Sequence, residues 1–346
     1  MSSTYIIGEI GQNHNGSVDL AKLICDLVAR PIEEDLFNLN LEGMNAVKLT
    51  KRDLSQELSR SQMARLYNNE NSFGKTYGEH RSYLEMTDEQ HFEVYQHAKK
   101  LGLDFVETLC APGCTSLLKL FTPDYLKVAS RDLTNIPLLE VLGETKIPII
   151  ISTGMAGKRE LDDALSILSK YHEEISILHC VSEYPTRPKN ANLNTVKYLI
   201  DNYSKYTIGY SDHTIGISAP VAAVALGAKM IEKHITIDRR MKGTDQKGSL
   251  GPDGVNRMVR DIRLIEQSMG EEDIHISSST DSAKEKLERS IASKVNIEKG
   301  TKISEEMLHM LSPGSGFKWF ERSEVIGKVA NQNIPEGEII DSSYIK

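Results

Sequence analysis

The chain has 346 residues, 39% hydrophobic and 26% charged, with a formal net charge of −8. That is the composition of a soluble globular protein, and the length fits a barrel of roughly 250 residues plus a small second module. The acidic balance argues against a nucleic-acid surface. No stretch reaches the ~20 apolar residues of a membrane span, and the N-terminus lacks the flank and cleavage site of a signal peptide. A cytoplasmic protein without nucleic-acid or membrane partners is expected, its four cysteines (Cys25, Cys110, Cys114, Cys180) reduced and structural because no C-x-x-C pair exists.

Thr4 to Ile10 is a β-branched run that carries Glu9 and breaks into Gly11-Gln12-Asn13-His14-Asn15-Gly16. Ser17 then caps a helix with apolar positions at 20, 23, 24 and 27. Residues 46–50 form a second short strand with Lys48 embedded in it, either an edge lysine in solvent or an anion ligand in a barrel mouth. The long polar excursion 53–86, which includes Gly74-Lys75-Thr76-Tyr77-Gly78-Glu79-His80-Arg81, reads as an active-site loop or as a solvated insertion. A helix from Thr87 to Lys100 follows, then a strand over 104–109, a short helix over 115–120, and a strand over 125–130 ending in Ser130-Arg131-Asp132. Strands at 148–153 and 175–180 flank a helix over 159–171, and residues 194–202 are helical. Tyr206 to Leu250 supplies two more strands, whose ends bear Ser211-Asp212-His213 and Glu232-Lys233-His234, before a closing helix over 253–269.

Eight short apolar strands alternating mostly with helices predict a parallel sheet covered by helices. Their number favours a closed (β/α)8 TIM barrel over an open doubly wound sheet, and no G-x-G-x-x-G follows any strand. The barrel is expected over 1–270 and an acidic, Ser/Thr-rich linker over 271–286. Residues 287–346 form a small β-rich module whose turns at Ile297-Glu-Lys-Gly-Thr and Ile334-Pro-Glu-Gly-Glu echo each other.

Barrel chemistry sits at the C-terminal ends of strands. Here those ends hold Glu9, Lys48, Thr108, Lys127, Ser130, Asp132, Ser152, Ser182, Tyr184, Ser211, His213 and His234, with Asp245 just beyond. Two lysines among serines suit a phosphorylated or carboxylated anion. Either histidine alone reads as structural or solvated, but the pair on consecutive strand ends suits a divalent ion. Two imidazoles fall short of the three protein ligands usual for catalytic zinc, which points to an exchangeable ion such as Mn2+ or Mg2+.

Five motifs together carry a family resemblance. They are Gly8-Glu-Ile-Gly-Gln-Asn-His-Asn-Gly16, Ala46-Val-Lys48, Ser152-Thr-Gly-Met155, Ile208-Gly-Tyr-Ser-Asp-His-Thr-Ile-Gly216 and Ile231-Glu-Lys-His-Ile-Thr236. The chain resembles the sialic acid synthases over nearly its whole length, and the C-terminal module resembles their antifreeze-like (SAF) domain. The resemblance implies condensation of phosphoenolpyruvate with an open-chain hexose to a nine-carbon 2-keto-3-deoxy acid, with release of phosphate. By position, Lys48, Thr108, Lys127, Ser130, Ser152, Ser182 and Ser211 would surround phosphoenolpyruvate, and His213 and His234 would bind the metal. Thr50, Lys75, Arg81, Asp132, Tyr184 and Asp245 would meet the sugar, with Glu9 and Asp245 in catalytic roles.

Departures bear on the sugar. Thr50 replaces a glutamine and Asp132 a glutamate of many bacterial members, and Ser312-Pro313-Gly314 stands where those enzymes carry Arg-Pro-Gly for the N-acetyl group. Gly74 to Arg81 instead looks like the animal enzymes, which take a 6-phosphorylated sugar, so N-acetylmannosamine 6-phosphate or mannose 6-phosphate is favoured over free N-acetylmannosamine. Lys51, Arg52, Lys75 and Arg81 are candidates for that phosphate. The alternatives are a legionaminate- or pseudaminate-type synthase and a decayed, sugar-binding relative. The resemblance also implies a domain-swapped homodimer.

Overall fold

The computed structural model describes residues 3–34 and 39–346. The chain divides into two units, Met1–Gly270 and Glu271–Lys346.

The first unit begins with β1 (Tyr5–Glu9) and α1 (Val18–Val28), whose N-cap Ser17 accepts from the Leu20 amide. A short antiparallel hairpin, β2 (Ile32–Glu34) with β3 (Leu39–Leu41), precedes β4 (Ala46–Lys51). The excursion after β4 is built rather than loose: α2 (Leu54–Glu57), α3 (Arg60–Ala64) and α4 (Tyr77–Leu84) lie within it. Its aromatic residues organise it, with Phe73 stacked on Tyr83 at 4.6 Å and His80 against Tyr67 at 4.7 Å. Then follow α5 (Asp88–Lys100), β5 (Asp104–Leu109), β6 (Tyr125–Val128), α6 (Ile136–Glu144) and β7 (Ile149–Ser152). The unit finishes with α7 (Lys158–Leu168), β8 (Ile175–Cys180), α8 (Asn194–Asn202), β9 (Thr207–Asp212), α9 (Ser218–Ala225), β10 (Met230–His234) and α10 (Pro252–Ser268). The short helix expected over 115–120 is a 3-10 helix, Pro112–Lys119, with Pro112 in its first turn.

The eight long-range strands close into a parallel barrel in the order β1-β10-β9-β8-β7-β6-β5-β4, the (β/α)8 fold that the alternation predicts. Strand side chains alternate, so each strand has an outer face against the helices and an inner face in the barrel. On the outer face Ile6, Val47, Phe105, Ile149, Ile177 and Ile231 join one large core with the helices. In α10, for instance, Val255, Met258, Val259 and Ile262 recur at helical spacing and are buried. On the inner face Ile7, Ala46, Val106, Ile150, Leu178 and Met230 form a separate apolar layer. Burying each large side chain there is worth about 1.5–3 kcal/mol.

The layer above follows from the period of two. Two positions beyond those six residues come Glu9, Lys48, Thr108, Ser152, Cys180 and Glu232, all buried. An apolar floor thus supports a polar layer at the C-terminal end of the strands.

In the second unit α11 (Asp281–Leu287) precedes β11 (Ser290–Ser293), which pairs antiparallel with β12 (Leu308–Leu311). The stretch 271–286, expected as a linker, therefore contains helical structure. Ile291, Ile297, Ile303, Leu308, Val325, Ile334 and Ile340 form this unit's own core. The two echoing turns meet: Ile297 and Ile334 exchange backbone hydrogen bonds of 2.9 and 2.8 Å.

Candidate active site

A cavity of about 530 Å3 opens over the polar layer. It gathers Glu9, Lys48, Thr108, Lys127, Ser130, Ser152, Ser182 and Ser211 around one space, with Thr50, Arg81, Tyr184, His213, His234 and Asp245 around the same space. Lys75 and Asp132 are not in its lining. Lys75 directly precedes the N-cap of α4, where the Thr76–Glu79 capping box fixes the backbone and leaves the lysine exposed. Asp132 turns towards Arg131, whose Nε donates to it at 3.2 Å.

The floor of the cavity is a buried quartet of alternating charge. Lys48 contacts Glu9 directly and stands 3.7 Å from Glu232 Oε1, while Lys127 is 3.7 Å from Glu232 Oε2. Lys48 also donates to Thr108 Oγ1 at 3.2 Å and Lys127 to Ser152 Oγ at 2.6 Å. Ser211 donates to Glu232 Oε1 at 3.0 Å. These environments drive the two carboxyls apart. Burial pushes Glu9 up to about 7 against the pull of Lys48. Burial alone would raise Glu232 too, but Lys127 and Lys48 outweigh it and bring its pKa down to about 2. Burial lowers the pKa of Lys127 despite Glu232, whereas at Lys48 the two carboxylates overcome burial and raise it. Two carboxyls held in opposite protonation regimes are the pattern of an acid–base site.

Beside the quartet lies a cradle of hydroxyls around Gly154. Its amide donates to Ser130 Oγ at 3.0 Å. A Cβ at this position would come within 2.5 Å of Ser182 Oγ and 2.7 Å of Ser130 Oγ, so glycine lets the backbone approach them. Ser182 Oγ is buried and has no hydrogen-bond partner among the described residues. Short hydroxyl donors with an ammonium alongside suit a phosphate or carboxylate.

The third part is the imidazole pair, ring centroids 5.5 Å apart, with Tyr184 4.1 Å from the His213 ring. His213 Nδ1 faces the Val181 carbonyl at 3.0 Å, so it carries the proton and leaves the lone pair on Nε2. His234 Nδ1 is buried and unpaired among the described residues. Its pKa is lowered by burial against the opposing effect of Asp245, which favours the neutral, ligating form. Gly11, at φ +54°, passes so close that a Cβ would lie 3.3 Å from that nitrogen. Two imidazoles, each with a ring nitrogen not committed to a protein partner, fit a divalent ion. No group of three or more His, Cys, Asp and Glu among the described residues is placed to hold one, so water and substrate oxygens would complete the shell.

On the rim, Arg81 donates to Tyr77 Oη at 2.9 Å and has no carboxylate partner among the described residues. Arg52 and Arg131 share Glu57 Oε2 at 2.9 and 3.2 Å, so much of their charge is met internally. Glu232, Arg131, Tyr67 and Cys180 also line the cavity and were not singled out as site residues from the sequence. For Glu232 the signal was present: it lies two positions before His234 in one strand and therefore shares its face.

The barrel, with its site at the strand ends, belongs to a known class. Residues 40–274 match the NeuB family and residues 288–343 the SAF domain. The chain is 31% identical to the N-acetylneuraminate-9-phosphate synthase of Drosophila melanogaster, covering 100% of this chain and 97% of that one. It is 33% identical to the N,N'-diacetyllegionaminic acid synthase of Campylobacter jejuni, over 98% and 99% of the two chains. The crystal structure of a sialic acid synthetase from Leptospira borgpetersenii in complex with citrate superposes with a TM-score of 0.66 at 30% identity, covering 82% of this chain and 90% of that one. The chain therefore belongs to the NeuB, sialic acid synthase family of enzymes and carries a C-terminal SAF domain. No helix among the described residues is long and apolar enough to cross a membrane.

Proposed function

We propose that this enzyme condenses phosphoenolpyruvate with an open-chain hexose 6-phosphate, forming a nine-carbon 2-keto-3-deoxy acid and releasing inorganic phosphate. The observation that carries the reading is the joining, in one cavity, of a lysine–hydroxyl anion site with an imidazole pair above a carboxyl of raised pKa. Lys48, Lys127, Thr108, Ser130, Ser152, Ser182 and Ser211 hold the carboxylate and phosphate of phosphoenolpyruvate. They position it and balance its charge without covalent chemistry. His213 and His234 would hold Mn2+ or Mg2+, which when bound supplies Lewis-acid polarisation of the sugar aldehyde.

The enol phosphate C3 forms the new bond to the aldehyde carbon, whose oxygen takes up a proton to become a hydroxyl; water adds at C2, and the C2–O bond to phosphate breaks as the new C2 hydroxyl gives its proton to the departing phosphate. Glu9 takes the proton of that water in its carboxylate form, while Glu232 remains ionised and keeps both lysines charged and oriented. Tyr184 and Asp245 meet the sugar, with Thr50 alongside. Arg81 anchors its phosphate, assisted by Arg52, because Arg81 offers a guanidinium that no carboxylate among the described residues neutralises. Lys75 and Asp132 are assigned no contact. The enzyme would act in the cytoplasm as a homodimer whose SAF domains cross between subunits.

Arg81→Ala tests the choice of sugar. The KM for the hexose 6-phosphate should rise about 10-fold or more, as expected for losing a charge-assisted contact worth about 1.5–3 kcal/mol, with little change for an unphosphorylated hexose. Equal effects on both would remove the basis for a 6-phosphate. The mass of the product formed from each aldose then separates sialic-type from legionaminate-type synthesis.

A further inference from the structure

Behind the two imidazoles, on the outer face of the same strands, lies a buried ion pair that the proposed chemistry does not use. Lys233 and Asp212 are register partners on β10 and β9, and their side chains are fully buried, Nζ to Oδ2 2.5 Å. Each immediately precedes one of the histidines, so the strand alternation puts the ion pair and the imidazole pair on opposite faces. The pair does more than join the strands. Asp212 Oδ1 accepts from the Thr214 amide at 2.9 Å, and its Oδ2 accepts from Thr214 Oγ1 at 3.1 Å, closing a turn around His213. Lys233 Nζ donates to the Thr214 carbonyl at 2.5 Å, tying the far side of that turn to the strand that carries His234. Tyr210 Oη completes the acceptor side of Asp212 at 2.9 Å.

Taking two charges out of water is costly, and replacing such a pair by apolar residues often leaves stability unchanged or raised. Stability alone therefore does not account for it. We infer that Asp212 and Lys233 are positioning residues that set the separation and orientation of His213 and His234 for a shared divalent ion. The cross-strand bond fixes the spacing and the Thr214 contacts fix the turn from which His213 projects. This inference rests on the proposed metal reading.

The test is Mn2+ affinity of the purified full-length protein, measured by calorimetry alongside the Tm of the metal-free form. In the double variant Asp212→Asn with Lys233→Met, the amide oxygen still accepts from Thr214 while the cross-strand bond is gone. Mn2+ should bind about 10-fold or more weakly, the range for lost outer-shell partners, with the Tm little changed. If that variant does not fold, Tyr210→Phe removes one hydrogen bond to Asp212 and should weaken Mn2+ several-fold. Folded variants with wild-type affinity overturn the inference. Wild-type protein that binds no Mn2+ overturns the metal reading and this inference together.

Discussion

Glu9 holds its unusual pKa because a strand places a carboxyl two residues above an apolar floor, where burial and the nearby Glu232 outweigh the pull of Lys48 and Lys127. Its carboxylate form grows as pH rises through about 7. If that form is the base, kcat/KM for phosphoenolpyruvate should climb with unit slope on the acid side of that value and level above it. Glu9→Gln should lower kcat by about 10²- to 10⁴-fold, the usual contribution of a general base, and flatten the acid limb. A variant that retained the limb would assign it to another group. Glu232, held down to about 2, does not titrate in this range and contributes no limb.

Much of this layer was legible residue by residue. Lysines, serines and histidines at the ends of apolar strands stand out because such positions otherwise hold Val, Ile or Leu. Lys75 and Asp132 illustrate what was hidden. Lys75 lies exposed just before the N-cap of α4, and Asp132 accepts from Arg131 outside the cavity lining; neither placement depends on strand periodicity.

The eight barrel strands followed from continuous apolar runs and the helices from their spacing, which is the strongest signal a sequence carries. The excursion after β4 was less readable, because α2 and α3 are short and bury none of their residues. It is held instead by aromatic contacts between residues several helical turns apart along the chain, Tyr67 with Tyr77 and His80 and Phe73 with Tyr83, which periodicity does not reveal. Gly154→Ala would press a methyl into Ser130 Oγ, Ser182 Oγ and Cys180 Sγ, the ends of short side chains that must turn aside from the site. The KM for phosphoenolpyruvate should therefore rise about 10-fold or more while the Tm shifts by only a few degrees, since hydrogen bonds to a charged ligand are each worth about 1.5–3 kcal/mol. A large loss of Tm with unchanged KM would make Gly154 a packing residue only.

The chain combines a barrel that has its own two cores with a small unit that has another. The composition shifts to acidic and Ser-rich after residue 270, where the two units divide, and nothing in that composition signals the helix Asp281–Leu287. A protein ended after Gly270 should keep the barrel fold and phosphoenolpyruvate binding but lose sugar affinity, if the SAF domain covers the barrel mouth of a second subunit. Full activity of the shortened protein would exclude that role. Phosphate release from phosphoenolpyruvate, with N-acetylmannosamine, its 6-phosphate and mannose 6-phosphate compared side by side, with and without Mn2+, tests the proposed condensation. Release that requires both sugar and metal and is fastest with a 6-phosphate is the expected result. No release with any aldose in the presence of Mn2+ would contradict it.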